Sequence, residues 1–365
     1  MMLCLYFGTP PPSCGGRISI EKKCVIGRHI KLTIVSGDTI PMNRTLIVIA
    51  ALAAAATNAG AQQCGGSLTA RDACRKTIDL VNFVSPQFAE ALSGGNAMIA
   101  QGGSLGGFGK FAVAVRSTQV MGSIPKISDQ GFSTTGESRA VYSTASQLIP
   151  ALAVDGALGL WRGFPVGLTH VGGLDGLVSA TYMSAVDGGS VKVALEGSNT
   201  NFGFGARVGI IEETAMFPGI SVSYIKRDMP RFSITGTTTT GNGVTTAGGT
   251  IAGTSLLVTT TSLRGTIGKR LGVFDLTGGF GQDKYQSSAN VSASVTGFGS
   301  STGTAALEMT RSNIFGGIAL NLGAFKFAGE YGMASGGTAP TSTNDFGEAA
   351  NKTRAYFTLG ARIGF

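Results

Sequence analysis

The sequence predicts an all-β fold: a transmembrane, antiparallel, up-and-down β-barrel of about ten strands, with twelve as the alternative, preceded by a short helical segment. Three observations carry this. Beyond Phe108, apolar residues recur at every second position, as in Phe202, Phe204, Ala206, Val208 and Ile210, or Ile220, Val222 and Tyr224. That is the period of a strand with one oily face. Charged residues make up only 13% of the chain while apolar residues reach 43%, against roughly 25% charged in an ordinary soluble domain. The connections between the inferred strands alternate between long and short, as in hairpins that cross a membrane repeatedly.

Taken in order, the chain first shows Met42-Asn43-Arg44, then an apolar run from Leu46 to Ala56, then Ala59-Gly60-Ala61. A basic start, a short apolar stretch and an A-x-A site make a secretory signal over 42–61. A spanning helix would need about 20 apolar residues. Met42 is then the expected start, and 1–41 an upstream extension left out of fold reasoning. Its Cys4, Cys14, Cys24 and His29 have no metal-ligand spacing. Without 1–61 the chain has 304 residues, and the formal charge falls from +8 to +4 because six basic and two acidic residues go with it. So mild a basic balance implies no nucleic-acid partner.

Residues 62–107 read as a helical and then glycine-rich segment, a candidate plug. Cys64 and Cys74 are expected to pair in an oxidising compartment. Thr69-x-x-Asp72 can cap a helix, with Ile78, Val81 and Phe83 on successive turns. Ser85-Pro86 reads as the cap and first residue of a second, short helix carrying Phe88, Ala89 and Leu92. Ser93-Gly94-Gly95 stops it, and the glycines between Gly102 and Gly109 form a flexible lead-in.

The barrel domain, 108–365, is read as strands at 108–120, 150–162, 172–184, 201–211, 218–237, 253–268, 273–297, 304–322, 325–335 and 353–365. Turns at 163–171, 212–217, 269–272 and 323–324 are short, whereas 121–149, 185–200, 238–252 and 336–352 are long and polar; 298–303 breaks the alternation. Both termini then lie at the short-turn end. Trp161, Tyr182, Tyr224, Phe232, Tyr285, Phe325, Phe327, Tyr331 and Phe357 fall near strand ends, where aromatic residues anchor a barrel at the two membrane interfaces.

With the oily face outward, eleven charges project into the lumen: Arg116, Asp155, Arg207, Arg227, Arg264, Asp275, Arg311, Lys326, Glu330, Arg354 and Arg362. A charge facing lipid at mid-bilayer would cost about 2–4 kcal/mol, which favours this assignment. Eight cations against three anions imply either an anion-favouring pathway or a paired network that fills a closed interior; the second is the favoured expectation. No catalytic, cofactor or metal site is expected. His170 stands in a short turn with no local partner, and a general base needs one within reach. Gly109-Lys110 is no phosphate loop, because Ser104 and Phe111 stand where glycine and Ser or Thr are required. Glu212-Glu213 reads as a solvated turn, and Asp175, Asp228 and Asp283 are too dispersed for a calcium loop.

The C-terminal run Tyr356-Phe357-Thr358-Leu359-Gly360-Ala361-Arg362-Ile363-Gly364-Phe365 resembles the last strand of bacterial outer-membrane β-barrels, which ends in an aromatic residue. The resemblance implies outer-membrane localisation and surrounding lipid after export. It also implies recognition of Tyr356, Phe357, Leu359, Ile363 and Phe365 by the barrel-assembly machinery. The helical segment loosely resembles the N-terminal hatch of long-chain fatty-acid transporters. The expected function is a passive channel or transport protein for small solutes or apolar molecules. A non-conducting structural or surface-binding barrel is the alternative, and an enzyme is not expected.

Overall fold

A computed structural model describes residues 64–365 apart from 130, 184–185, 188–190 and 239–245, together with a small ladder of Cys24–Val25 against Lys31–Leu32. The signal read at 42–61 lies outside the described residues. From Cys64 onward the described residues form one α-helix enclosed by a curved sheet.

The helix, α1, spans Leu68–Ser93. Its cap is Ser67, whose Oγ accepts from the Ala70 amide at 3.2 Å, and not Thr69. Asp72 is turned instead to Lys76, Ser133 and Ser138. The expected break at Ser85-Pro86 does not occur. Pro86 lies inside α1, and the Ser85 hydroxyl donates back to the Val81 carbonyl at 2.6 Å. A proline this deep costs a helix about 3 kcal/mol, and burial of nearly the whole helix surface offsets it. Gly94 and Gly95 end the helix, as their composition requires, with Gly95 at φ +75°.

The strands are β1 (Phe111–Pro125), β2 (Thr144–Trp161), β3 (Gly173–Tyr182), β4 (Val191–Leu195), β5 (Thr200–Ile211), β6 (Gly219–Asp228), β7 (Phe232–Thr238), β8 (Gly249–Leu271), β9 (Phe274–Val295), β10 (Gly299–Leu322), β11 (Phe325–Ser335) and β12 (Arg354–Gly364). Ten of them close a ring. β1, β2, β3, β5 and β6 follow one another, β6 pairs with β8, the pairing runs on through β12, and β12 returns to β1. All these ladders are antiparallel. β7 and β4 continue the wall beyond the ring, against the first residues of β8. The single strand expected over 218–237 is therefore two, separated at 229–231 by Pro230, which has no N–H to donate to a ladder. The break expected at 298–303 shrinks to a turn at 296–298, from which β10 restarts at Gly299.

The wall changes character along its height. On β10 the outward positions nearer the short turns are Ile314, Ile318 and Leu320, and the outward positions above them are Thr302, Ala306, Glu308, Thr310 and Ser312. On β9 Phe274, Leu276 and Phe280 give way to Gln282, Gln286, Asn290 and Ser292 at the same parity. The inward face does the opposite: Asp275, Asp283 and Arg311 lie below Met309, Leu307, Val291 and Val295. The lower half is thus apolar outside and polar inside, as a lipid-embedded barrel must be. The upper half is polar outside and packs an apolar core around α1, as a soluble protein does. Strands of 22–24 residues far exceed the roughly 9–11 needed to cross a bilayer, so their upper halves stand clear of it.

Aromatic side chains bound the oily belt. Phe111, Trp161, Phe274, Phe325 and Phe365 are exposed near the short turns, and Tyr182, Phe202, Tyr224, Tyr331 and Phe357 at the other margin. Two residues expected among them are interior instead. Tyr285 points inward to Ser93, and Phe232 packs on Phe88 with ring centroids 5.1 Å apart.

Candidate functional site

The interior is the candidate site, and α1 with the segment after it sets its geometry. Contacts along this stretch descend from one mouth to the other. The Ser67 hydroxyl donates to the Phe298 carbonyl in the turn between β9 and β10, at the long-loop end. Asp79 accepts from the backbone of Thr343 and Asn344 and from the Asn344 amide. Gln87 exchanges hydrogen bonds with the Ser123 backbone. Lower down, Gly102 lies so close to Gly219 and Gly268 that a Cβ on it would meet the Gly268 nitrogen at 2.2 Å. The chain leaves at the short-turn end to begin β1. Cys64 and Cys74, joined as a disulfide, therefore sit near the long-loop mouth.

Where α1 ends, its last carbonyls have no helical partner, and arginines from the wall take them. Arg264 donates to Ser93 O at 2.7 Å and Gly95 O at 3.1 Å. Arg116 donates to Gly94 O at 2.6 Å. Further down, Arg362 donates to Ile99 O, while Glu330 accepts from the Asn96 amide and Asp175 from the Leu105 amide. Cations at a helix C-terminus also meet its partial negative charge favourably.

Apart from Arg362, the interior arginines are in turn paired. Asp155 receives Arg116 and lies 3.7 Å from Arg227; Asp175 receives Arg207 at 2.8 Å; Asp283 receives Arg264 at 2.9 Å. Arg311 contacts Glu90 of α1 at 3.1 Å, with both side chains fully buried. Asp275 takes Lys326 and Arg270, and Arg354 binds Glu348. Ten of the eleven charges read as inward have buried side chains, and Lys326 is nearly so.

Sequence reasoning counted too few anions. Asp175, Asp283 and Glu90 also face the interior, so the eight cations meet six acids rather than three. The signal was available in two cases: Asp175 shares its parity with Leu177 and Asp283 with Tyr285, both inward. His170 and Glu212 also differ from expectation. They are not simply solvated; Nδ1 of His170 lies 3.0 Å from Glu212 Oε2. The small hairpin Phe164–Val166 with Thr169–Val171 brings them together at the short-turn end, and Thr169 donates its hydroxyl to the Glu212 carbonyl. Glu213 accepts from the Arg270 amide. Among the described residues no group of three or more His, Cys, Asp or Glu is placed to hold a metal ion.

Of the C-terminal residues, Phe357, Leu359 and Phe365 face outward, Ile363 is half-buried and Tyr356 is interior, its hydroxyl donating to Asn313 at 3.1 Å.

No protein-family model and no curated protein matches this chain. Among solved structures it is similar to the beta domain of the Bordetella autotransporter BrkA, at 14% identity and a TM-score of 0.29 over 70% of this chain and 99% of that one. It is also similar to an anion-selective porin from Comamonas acidovorans, at 8% identity and a TM-score of 0.16, covering 70% and 98% of the two chains. OmpTdeltaL8, a loop-deleted outer membrane protein of Vibrio cholerae, gives 11% identity and a TM-score of 0.15, again covering 70% and 98%. Superposition this loose supports no inference, and the barrel assignment rests on the closed ring of ladders and its oily belt.

Proposed function

We propose that this chain is an outer-membrane barrel, exported through a cleaved signal, whose lumen is closed at rest and which works at the cell surface through its long loops and the helix end beside them. The observation that carries the closed state is the capping of α1 inside the lumen. Arg116 and Arg264 bind its terminal carbonyls and Arg311 binds its Glu90, all within the wall and nearly inaccessible to water. An open aqueous path at that height would wet these groups.

Most short turns and the two ends of the barrel strands share one side, which supports reading that side as periplasmic, with the long loops and the Cys64–Cys74 loop outward. Phe357, Leu359 and Phe365, lying outward on the last strand, suit reading by the barrel-assembly machinery. We assign no enzymatic activity: the His170–Glu212 pair has no activated nucleophile beside it among the described residues. The channel reading requires α1 to leave the lumen.

Planar-bilayer recording of the purified mature protein tests the closed state. Silence is expected, and steady stepwise currents from the unmodified protein would overturn it. An epitope inserted after Gly65 tests the sidedness, and failure of antibody to reach it on intact cells would reverse the orientation.

A further inference from the structure

Between α1 and the wall lies a cavity of about 670 Å³, within the range of about 300–1,000 Å³ typical of ligand pockets. Leu80, Val84 and Phe88, four residues apart and so on one helix face, form its inner side, with Ile149 and Ile234 from the wall. Its rim includes Leu148, Leu152 and Tyr182, which belong to the exposed apolar belt. The cavity therefore runs from the helix, through the wall, to the lipid-facing surface.

Among the described residues the sheet is interrupted along this passage. β2 pairs with β1 along its whole upper half, from Leu158 against Phe111 up to Thr144 against Pro125. On its other side it pairs with β3 only as far up as Leu152 against Tyr182. Residues 144–151 thus have no ladder partner on that side among the described residues, and Pro150, which suits an edge strand, lies in this stretch. The sheet's opposite edge is formed by Val186–Asp187, beside β4. Unpaired backbone next to lipid is costly, so the seam sits where the belt ends, at the Tyr182 margin.

Lys126 stands over the mouth. It follows the last residue of β1, is exposed, lines the same cavity, and has no ion-pair partner among the described residues.

We propose that this seam admits one acyl chain of an anionic amphiphile from the surrounding outer leaflet, with the chain against Leu80, Val84 and Phe88 and the head against Lys126. Continuity of the cavity with the lipid-facing belt selects a membrane source, its apolar lining selects a hydrocarbon chain, and the unpaired ammonium selects the sign of the head. The proposal rests on the reading above only in that α1 stays beside the wall; its test reads contact with α1 and not conductance, so the two can fail separately.

The test uses the mature chain in phosphatidylcholine vesicles containing dodecyl phosphate with a diazirine at the chain end. After illumination, cross-links are mapped by mass spectrometry. Labelling of the α1 peptide carrying Leu80, Val84 and Phe88 is expected. It should fall about tenfold in Lys126→Glu, the effect of losing one charge-assisted contact, and likewise when the probe head is trimethylammonium. Val84→Trp, which fills the cavity, should abolish it. Should that variant not fold, Ile234→Trp fills the same space from the wall, and the head-group comparison needs no variant. Labelling confined to Leu148, Leu152 and other belt residues, or α1 labelling indifferent to both filling and head charge, overturns the proposal.

Discussion

Replacing Glu90 by glutamine probes the lock between helix and barrel. Glu90 and Arg311 are fully buried and 3.1 Å apart, and Arg311 also donates to the carbonyls of Ala334 at 2.6 Å and Lys352 at 2.7 Å. Glutamine keeps the shape of the side chain and removes the anion that neutralises the guanidinium; because burial pushes the Glu90 carboxyl up to about 8, the comparison is made at about pH 9, where the anion is present. Breaking one half of a buried pair costs about 3–5 kcal/mol. The carbonyls that stay on Arg311 put this site at the lower end, about 3 kcal/mol. With a urea slope of about 3 kcal/mol per molar, the midpoint should fall by about 1 M. Adding Arg311→Met should recover most of the loss, because no stranded charge is left behind. The assay is urea unfolding of the refolded barrel in micelles, read by circular dichroism. A loss in the single variant below about 1 kcal/mol, as for an exposed pair, would refute the idea that this contact fixes α1. So would a double variant weaker than the two singles combined.

Other outcomes follow from the same geometry. Cys64→Ala with Cys74→Ala opens a loop of sequence separation 10 and should lower unfolding stability by about 3 kcal/mol; an unchanged urea midpoint would contradict this. Val115→Arg, facing lipid near mid-belt, should cost about 2–4 kcal/mol in bilayers, and a neutral result there would place the belt elsewhere. The Gly347 amide and Arg139 hold the Asp345 carboxyl below its ordinary value. Burial opposes ionisation of Glu348, but hydrogen bonds from Lys352 and Arg354 outweigh it and leave that group low as well. A carboxyl whose folded pKa lies below its unfolded one stabilises at neutral pH and loses that contribution as pH falls through the folded value. The loop 336–353 should therefore become sensitive to pepsin as pH drops below about 4, and protection unchanged down to about pH 2 would count against it. Deleting residues 62–107 should convert silence into currents of weak anion preference, since the strands then carry eight inward cations and five anions. Cation selectivity would show that the arginines do not face the path.

Parity was the part of the molecule that could be read in advance. Residues such as Arg207 between Ala206 and Val208 have one side to choose, and strand period alone puts the charge opposite the oil. The same rule, applied to Asp175 and Asp283, would have found the missing anions; looking at them only as metal ligands hid it. Ring closure between β6 and β8 was not legible, because nothing local in Gly219–Asp228 names a partner 40 residues away. Nor was the upright reading of Ser85-Pro86 as a helix start wrong on local grounds. Pro86 stays helical because the core around Phe83, Phe88 and Leu92 holds it, a tertiary effect that outweighs propensity. The change of polarity above Ser312 was not legible for a related reason: alternation gives a strand two faces but does not say which one meets water.

The height at which the wall changes polarity is the height at which the helix stops, and one cause accounts for both. Eight strands enclose a space that side chains alone can fill; ten leave more, and a helix about 10 Å across occupies it. A helix satisfies its own backbone, so the wall around α1 can be apolar inside, as Leu307, Met309, Val291 and Val295 are. Past Ser93 the chain still has to reach Phe111 at the other mouth, and it does so without regular structure. Amides and carbonyls on that path need partners, and beyond local contacts such as Gln101 with the Ser104 carbonyl the inner wall supplies them. Arg116, Arg264, Arg362, Glu330 and Asp175 do so, and their charges then require the further acids that pair them. Below the same level the outer face meets lipid and must be apolar, so each strand inverts its pattern there. The arginine lattice is on this account the socket of the threaded segment, and any conductance it supports is a property of the barrel without its plug.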